Sequence, residues 1–546
     1  MRGSKPKVLI TDNINVQAAA VLRECATVIY EPKLSHEQLL EKIGDVDALM
    51  VRSASQVSKD VLMQASRLKI VGRAGVGTDN IDLAEATKTG VVVINSPDGN
   101  TIAAAEHTIG MLFALARHIP QGDTALKAGT WARSKLLGIE LFGKTLGVVG
   151  FGKIGRRVAR TCVSLGMKVL VYDPFLSATV AESLGVQAVD MDLIYDTADF
   201  ITIHAPKTKE TLNLFNKETL ARCKPGLRIV NCARGGIVNE SDLAQAIQSG
   251  GIAGAAIDVF DEEPVSKDNP LLNLGEHAEK VVLTPHLGAS TEEAQINVAF
   301  DVAEQIKAFF EYGYAKNAVN LPLLRPEILE PVKDYMPMAE VLGCFVSQLT
   351  DSPVRGVEIV ASGQLSAFKT EPLTLAVLKG LLSQGREGVN YVNAPAIAEN
   401  NSIQVKEILD KQANKSYLNL LEVRVITESD SHAVAGTLTP NVSASVFRIV
   451  SVDNYQMTLQ ATPHILIAQH HDRPGMIAGV AVLLGEAGVN ISALQVARQS
   501  SGSDTAGGES TMVFNLDNPL PAGLDQKIKQ LGGIYSCHSI TLSTQA

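Results

Sequence analysis

A succession of short β-rich apolar runs, each followed by a stretch of helical periodicity, constrains this chain more than any other feature. Residues 7 to 96 read KVLITD, ATVIYE, ALMVRS, LKIVGRAG and VVVINSP, with amphipathic segments between them. Near-continuous apolar strands alternating with helices build a parallel sheet covered on both faces. A small-residue helix over Thr101 to Arg117 then leads into a second series: TLGVVG, KVLVYDP, FITIHAP, LRIVNCAR, GAAIDVF and VVLTPH. The helical stretch Thr291 to Phe310 is too short to begin another domain, so it is expected to return and pack on the first sheet. The second unit then sits inside the first. The expectation is a Rossmann-type nucleotide-binding domain (99–286) inserted in a flavodoxin-like α/β substrate domain (1–98 and 287–318).

The chain is longer than such a pair needs. Its 546 residues leave room for about three or four domains. Prolines 322, 326, 331 and 337 mark a linker after Ala318. An α/β intervening domain is expected over 319–458, with GVEIVASG and LLEVRVITES as strands and APAIAENNSIQV as a loop. From Pro463 to residue 546, HILIAQHHD, GVNISALQVAR, STMVFNLD and SITLS alternate with two helical segments in the β-α-β-β-α-β order of a ferredoxin-like sandwich. The polar stretch Ser500 to Glu509 reads as a hairpin loop.

Composition narrows the function classes. A net charge of −10 with no block of like charge offers no footprint for a nucleic acid, and no apolar run is long enough to cross a bilayer. The six cysteines form no C-x-x-C pair, so neither a disulfide frame nor a metal site is expected. A reducing compartment follows, cytoplasmic unless a leader delivers the chain to an organelle lumen.

The turn Gly150-Phe151-Gly152-Lys153-Ile154-Gly155 lies between a strand and a helix. The first glycine permits the tight turn, the second admits a pyrophosphate and the third lets helix and strand close up. Asp173, at the end of the next strand, can accept both ribose hydroxyls and would repel a 2′-phosphate, so NAD is expected rather than NADP. Arg234, Glu263 and His286 all follow strands of the inserted unit, where open sheets bind their ligands. Their chemistries suit hydride removal from a 2-hydroxy acid. Arg234 grips the carboxylate, His286 takes the hydroxyl proton, and Glu263 orients the imidazole and favours its protonated form.

The series RAGVGTDNID, NSPDGNTIAAAEHTIG, LGVVGFGKIGR, NCARGG, DVFDEEP and PHLGAS resembles the D-isomer-specific 2-hydroxyacid dehydrogenases. The likeness is strongest to the long-form branch that oxidises 3-phospho-D-glycerate to 3-phosphohydroxypyruvate, the first step of phosphorylated serine synthesis. It implies Arg234, Glu263 and His286 as catalytic residues. It also implies NAD contacts at Val76, Lys153, Ile154, Asp173, Ala205, the Cys232-Ala233-Arg234 turn, Asp258, His286, Gly288 and Ala289. A substrate bearing about three negative charges needs more cations than Arg234 alone. Arg52 with Ser53, Arg73 and Asn100 are placed to hold it, and the resemblance adds Arg133 and Lys135 from a neighbouring subunit of a homodimer or homotetramer.

The last domain resembles an ACT module, an amino-acid sensor that works in pairs. There the helix after Arg473-Pro474-Gly475, with His470, Asp472 and Asn490, is expected to receive L-serine. Glycerate, lactate or 2-hydroxyglutarate as substrate, or an NAD-sensing binding protein of the corepressor type, remain alternatives at this level.

Overall fold

The computed structural model describes residues 5–313, 315–321, 326–411, 417–439, 446–498 and 508–542. The first sheet holds β1 (Lys7–Ile10), β2 (Thr27–Tyr30), β3 (Ala48–Val51), β4 (Ile70–Arg73) and β5 (Val92–Asn95), all parallel, in the flavodoxin order β2-β1-β3-β4-β5. Its central strands are buried throughout because helices cover both faces. One of these is the helix Glu292–Tyr312, which does return to this sheet. A Cβ on Gly72 of β4 would stand 2.5 Å from the Val302 side chain, so the missing side chain is what lets this helix settle so closely.

The second sheet comprises β6 (Thr145–Val149), β7 (Lys168–Tyr172), β8 (Gln187–Ala188), β9 (Phe200–Ile203), β10 (Arg228–Asn231), β11 (Gly254–Ile257) and β12 (Val281–Leu283). Its order, β12-β11-β10-β9-β6-β7-β8, is the Rossmann arrangement extended by one strand. Strand β8 has two residues, too few to carry any periodicity. The helix Thr101–Arg117 crosses from one sheet to the other and buries Ala104, Ala105, Thr108, Met111, Leu112 and Leu115. Its small residues allow that close approach.

The third sheet contains β13 (Gly356–Gly363), β14 (Gln404–Asp410), β15 (Asn419–Ile426), β16 (Ser431–Thr439), β17 (Val446–Val452) and β18 (Tyr455–Leu459), ordered β14-β13-β15-β16-β17-β18. Two expectations are corrected here. The segment read as a loop is the helix Ala394–Asn400 followed by β14; Pro395 lies in the helix's first turn, where a missing N–H costs nothing. The proline-rich stretch is not all linker. Ala318 bridges Ile94, the Asn320 side chain holds the backbone of Val91 and Val93, and Pro337 opens the buried helix Met336–Val346. Pro322 lies outside the described residues.

Strands β19 (His464–His471), β20 (Ile491–Arg498), β21 (Glu509–Leu516) and β22 (Ile534–Thr541) form the last sheet, ordered β20-β21-β19-β22, with the helices Met476–Glu486 and Leu524–Lys529 on one face. That is the ferredoxin-like sandwich; residues 499–507 of the expected hairpin loop lie outside the described residues. Side chains alternate along β19: Leu466 and Ala468 meet those helices, while Ile465 and Ile467 enter a core shared with the third domain. Two glutamine amides reinforce this union by mimicking a paired strand. Gln348 donates to the Thr541 carbonyl (3.0 Å) and accepts from its N–H (2.8 Å), and Gln495 does the same for Thr458 (2.6 and 3.1 Å).

At this junction His432 bonds Asp453 at 3.1 Å, and that bond raises its pKa above the ordinary imidazole value. A raised folded-state pKa adds stability below about pH 6.5, lost as pH rises through the folded value. Melting of wild type and His432→Gln across this range is therefore expected to converge with rising pH. A constant difference would show that the ion pair contributes nothing.

Candidate active site

The dinucleotide turn is built as its glycines require. Gly150 has φ +92°, a region that favours glycine, and a Cβ there would strike the His204 carbonyl oxygen at 2.5 Å. A Cβ on Gly155 would stand 2.2 Å from the Gly150 oxygen, so the third glycine lets the helix Lys153–Ser164 close on the turn. At Gly152 nothing lies within 4 Å of the Cβ position. The helix N-terminus is thus open where a pyrophosphate would sit, with Ile154 in its first turn. Asp173 accepts from the Phe151 N–H (2.7 Å) on one oxygen and the Phe175 N–H (2.9 Å) on the other. Each oxygen keeps a further lone pair, which two vicinal hydroxyls need. Lys153 pairs with Asp98 across the domain crossing. Ala205 comes just after β9, next to His204, whose desolvation pulls its pKa down to about 4 and keeps it neutral.

Between the two parallel sheets lies a cleft of about 300 Å³ that brings together Arg52, Ser53, Arg73, Val76, Asn100, Arg234, Glu263, His286 and Ala289. Arg133 and Lys135 do not line it. They form an exposed turn, Arg133–Lys135, on the arm after the crossing helix. His286 Nδ1 bonds Glu263 Oε2 at 2.7 Å, and the other oxygen of Glu263 accepts from the Phe260 N–H at 3.0 Å. The imidazole is therefore oriented at Nδ1, leaving Nε2 for substrate. His286 itself has φ +53°, unusual for a residue with a side chain.

Two glycines of RAGVGTDNID make room for the cations. A Cβ on Gly75 would stand 1.8 Å from Arg73 Nη1, and one on Gly77 would stand 2.6 Å from Arg234 Nη2. Arg234 donates from Nη1 to the Ala233 carbonyl at 2.7 Å, and its Nε lies 3.5 Å from the exposed carboxylate of Asp79. Exposed pairs of this kind are weak, so a substrate carboxylate can replace Asp79. Burial, with Arg234 and Arg52 nearby, lowers the Arg73 pKa to about 10. Arg73 Nε and Asn100 Oδ1 are buried with no partner among the described residues. Both point to a polar ligand.

Several supporting residues escaped the sequence reading. Buried Asp12 accepts from the Arg52 N–H (2.6 Å), the Ser55 N–H (3.2 Å) and the Ser55 hydroxyl (2.6 Å), shaping the loop that carries Arg52 and Ser53. Asn231 accepts from the Ala233 N–H and donates to the Arg234 carbonyl, closing the NCARGG turn. A polar residue at the end of an apolar strand was the signal in both cases. Cys232, in that turn, is half-buried, and desolvation pushes its thiol up to about 12. It is no nucleophile at neutral pH.

In the last domain, the three residues expected to bind an amino acid do not meet within one chain. Asp472, beyond β19, pairs with Arg498 at 2.7 Å, at the end of the sheet where His471 opposes Glu509. Asn490 precedes β20 at the other end, where Ile491 opposes Leu516, and bonds Asp517 at 2.6 Å. A strand of this length separates them by roughly 20 Å. The His470 ring is buried; Nδ1 lies 2.9 Å from the His471 carbonyl, and Nε2 is unpartnered among the described residues.

A dinucleotide-type glycine turn on the same sheet as a cleft arginine and a Glu-oriented histidine is the pattern of a D-isomer specific 2-hydroxyacid dehydrogenase. The NAD-binding domain model of that class matches residues 109–288. A D-3-phosphoglycerate dehydrogenase intervening domain model matches 331–453, and an ACT domain model matches 464–533. The D-3-phosphoglycerate dehydrogenase of Synechocystis sp. is 43% identical over 98% of this chain and 95% of its own. The protein of that name from Methanocaldococcus jannaschii is 43% identical over 98% of this chain and all of its own. A D-lactate dehydrogenase from Aquifex aeolicus, solved with NAD and lactic acid, is 28% identical, with a TM-score of 0.50 over 56% of this chain and 95% of its own. This chain belongs to the D-3-phosphoglycerate dehydrogenase family, and its cofactor is NAD.

Asp173→Ala is expected to raise the KM for NAD by about 10- to 100-fold, the worth of hydrogen bonds to a charged group, and to narrow the preference over NADP. Initial rates with both dinucleotides measure this. An unchanged ratio would mean that Asp173 does not read the ribose.

Proposed function

We propose that this chain oxidises 3-phospho-D-glycerate to 3-phosphohydroxypyruvate, the first step of phosphorylated L-serine synthesis. The observation that carries the reading is the convergence, in one cleft, of Arg234, the Glu263–His286 pair and the cations Arg52 and Arg73. When bound, NAD accepts the hydride from C2. Arg234 takes the carboxylate, which sets the 2-hydroxyl within the cleft that His286 lines. His286 Nε2 accepts the proton of the 2-hydroxyl, and Glu263 at Nδ1 compensates the imidazolium that results. Arg52, Ser53, Arg73 and Asn100 surround the rest of the substrate. Its phosphate dianion would offset the burial of Arg73 and the neighbouring charges of Arg234 and Arg52, which together lower its pKa.

Neighbouring subunits complete the picture. The arm carrying Arg133 and Lys135 exposes Trp131 (80%), Leu137 (89%) and Phe142 (77%), an apolar surface of the kind a two-fold homodimer buries. In the proposed assembly the partner's arm brings the two cations to the cleft. L-serine is proposed to bind between two ACT domains. Edge strand β20, with Leu494 and Val496 exposed, can lie antiparallel to its copy. That arrangement brings Asn490 of one chain beside the end of the sheet that bears Asp472 and His470 in the other. A reducing, cytoplasmic setting is proposed from the scattered cysteine spacing of the sequence alone.

NADH formation with 3-phosphoglycerate is the direct test. His286→Ala is expected to lower kcat by about 10²–10⁴-fold, the usual worth of a general base. Arg73→Ala should lower kcat/KM for phosphoglycerate by about 10- to 100-fold and spare glycerate. Equal efficiency of wild type with the two substrates would sink the phosphate assignment. Serine should slow wild type, and Asn490→Ala should weaken that effect without changing the uninhibited rate. Full inhibition of the variant would remove Asn490 from the site.

A further inference from the structure

The geometry points to His107 as a positioning residue for the base, acting through the buried carboxylate of Asp258 on the turn that carries His286. This inference rests on the dehydrogenase reading of the cleft and adds to it a residue outside the Arg234, Glu263 and His286 set.

Asp258 follows β11 and has no exposed surface. Its Oδ1 accepts from the Thr284 hydroxyl (2.6 Å), the Leu287 N–H (2.8 Å) and His107 Nε2 (3.1 Å), and its Oδ2 accepts from the Gly288 N–H (2.8 Å). Its main-chain carbonyl accepts from the His286 N–H at 2.9 Å. The base is thus bracketed: its own N–H and those of the next two residues all end on one aspartate. That bracket explains how a residue with a side chain holds φ +53°.

Three of the four side-chain bonds come from the turn itself, residues 284 to 288. They shape the turn and seat it on the end of β11, but none of them reaches the crossing helix. The fourth comes from His107, on the crossing helix Thr101–Arg117, whose first residue directly follows Asn100 in the cleft. His107 therefore ties the base-bearing turn to the helix that begins beside the substrate. Its Nε2 also lies 3.3 Å from the Thr284 hydroxyl, and its side chain is largely covered at 21% exposure. Burial alone would raise the pKa of Asp258, but the bonds from His107, Thr284 and Leu287 outweigh it and hold the group ionised.

His107, Cys232 and Asp258 place their ligand atoms within 4.8 Å of one another, close enough to grip a cation. The hydrogen bonds already filling Asp258 explain that convergence without one. A helix–turn tether also has a functional signature that packing lacks. Shifting the turn by a fraction of an ångström misaligns Nε2 with the 2-hydroxyl, which slows turnover without weakening the grip of the arginines.

The test compares His107→Gln, whose amide can still donate, with His107→Leu, which fills space without donating. It uses the full-length chain, with rates expressed per NADH-binding site from a fluorescence titration, so that unfolded protein is not counted. The leucine variant is expected to lose about 10- to 100-fold in kcat, with the hydroxy-acid KM within about threefold of wild type, the range seen when an outer hydrogen-bond partner is lost. The glutamine variant should recover most of kcat. A leucine variant at wild-type kcat, a loss appearing in KM alone, or a glutamine variant as slow as leucine would each overturn the inference. His107→Met, which fills the gap with an unbranched chain, carries the same expectation if the leucine variant does not fold. Wild-type turnover is measured first. Its absence with any 2-hydroxy acid would overturn the dehydrogenase reading itself, whereas turnover matched by the leucine variant would overturn the role of His107 alone.

Discussion

Everything chemical in this protein depends on one constraint: the chain must cross twice between two parallel sheets. Parallel strands expose all their carboxyl ends along one edge, and an insertion between β5 and the return helix Glu292–Tyr312 makes two such edges face each other. Arg52 and Arg73 stand on one edge, and Arg234, Glu263 and His286 on the other. Neither half can hold a 2-hydroxy acid against a dinucleotide alone. Each crossing carries side-chain contacts of its own. Asp98 pairs with Lys153 over the first, the Thr291 hydroxyl caps the return helix after the second, and His107 bonds Asp258 between them.

Charge placement follows from the same arrangement. The chain carries a net −10, yet three guanidiniums crowd one small cleft. Such a cluster is unfavourable without a counter-anion: burial lowers the Arg73 pKa, and Arg234 and Arg52 beside it lower it further. Its cost in stability is offset by two large buried sheets, and the reward is selectivity for an anionic substrate. Backbone serves this end as much as side chains do: without glycine at 75 and 77, neither Arg73 nor Arg234 could lie where it does.

Both parallel sheets were readable as fold types because apolar runs of four or five residues between helices admit few other solutions. That the glycine turn, Asp173, Arg234, Glu263 and His286 lie beyond strand ends was legible because each follows an apolar run, and the cleft brings the last three together. What escaped was carried by polar residues whose partners lie far off in sequence. Asp12 gains its meaning from Ser55, and His107 from Asp258, contacts that no local pattern announces. The helix Ala394–Asn400 was hidden by its proline, which terminates a helix in most positions and starts one here. Asp472 and Asn490 looked adjacent because only a helix separates them in sequence. The β-α-β register sends them to opposite ends of the sheet instead.

That last separation bears on how the two ends of the molecule communicate. The ACT sheet does not hang from a flexible tether. One face of it completes the core of the third domain, and Gln348 and Gln495 bind backbone across the junction as a neighbouring strand would. The third domain in turn rests on the substrate domain, where Asn390 donates to the carbonyl of Gly90, just before β5. A ligand that draws two ACT domains together therefore pulls on a largely continuous body, and that body ends at β5, one turn before Asn100. The parts able to yield are the two crossings, where the chain passes between the substrate domain and the Rossmann sheet and where exposed pairs such as Asp98–Lys153 resist movement only weakly. On this architecture an effector would act by changing how far the cleft closes, which alters the alignment of His286 with substrate more than the strength of any single contact.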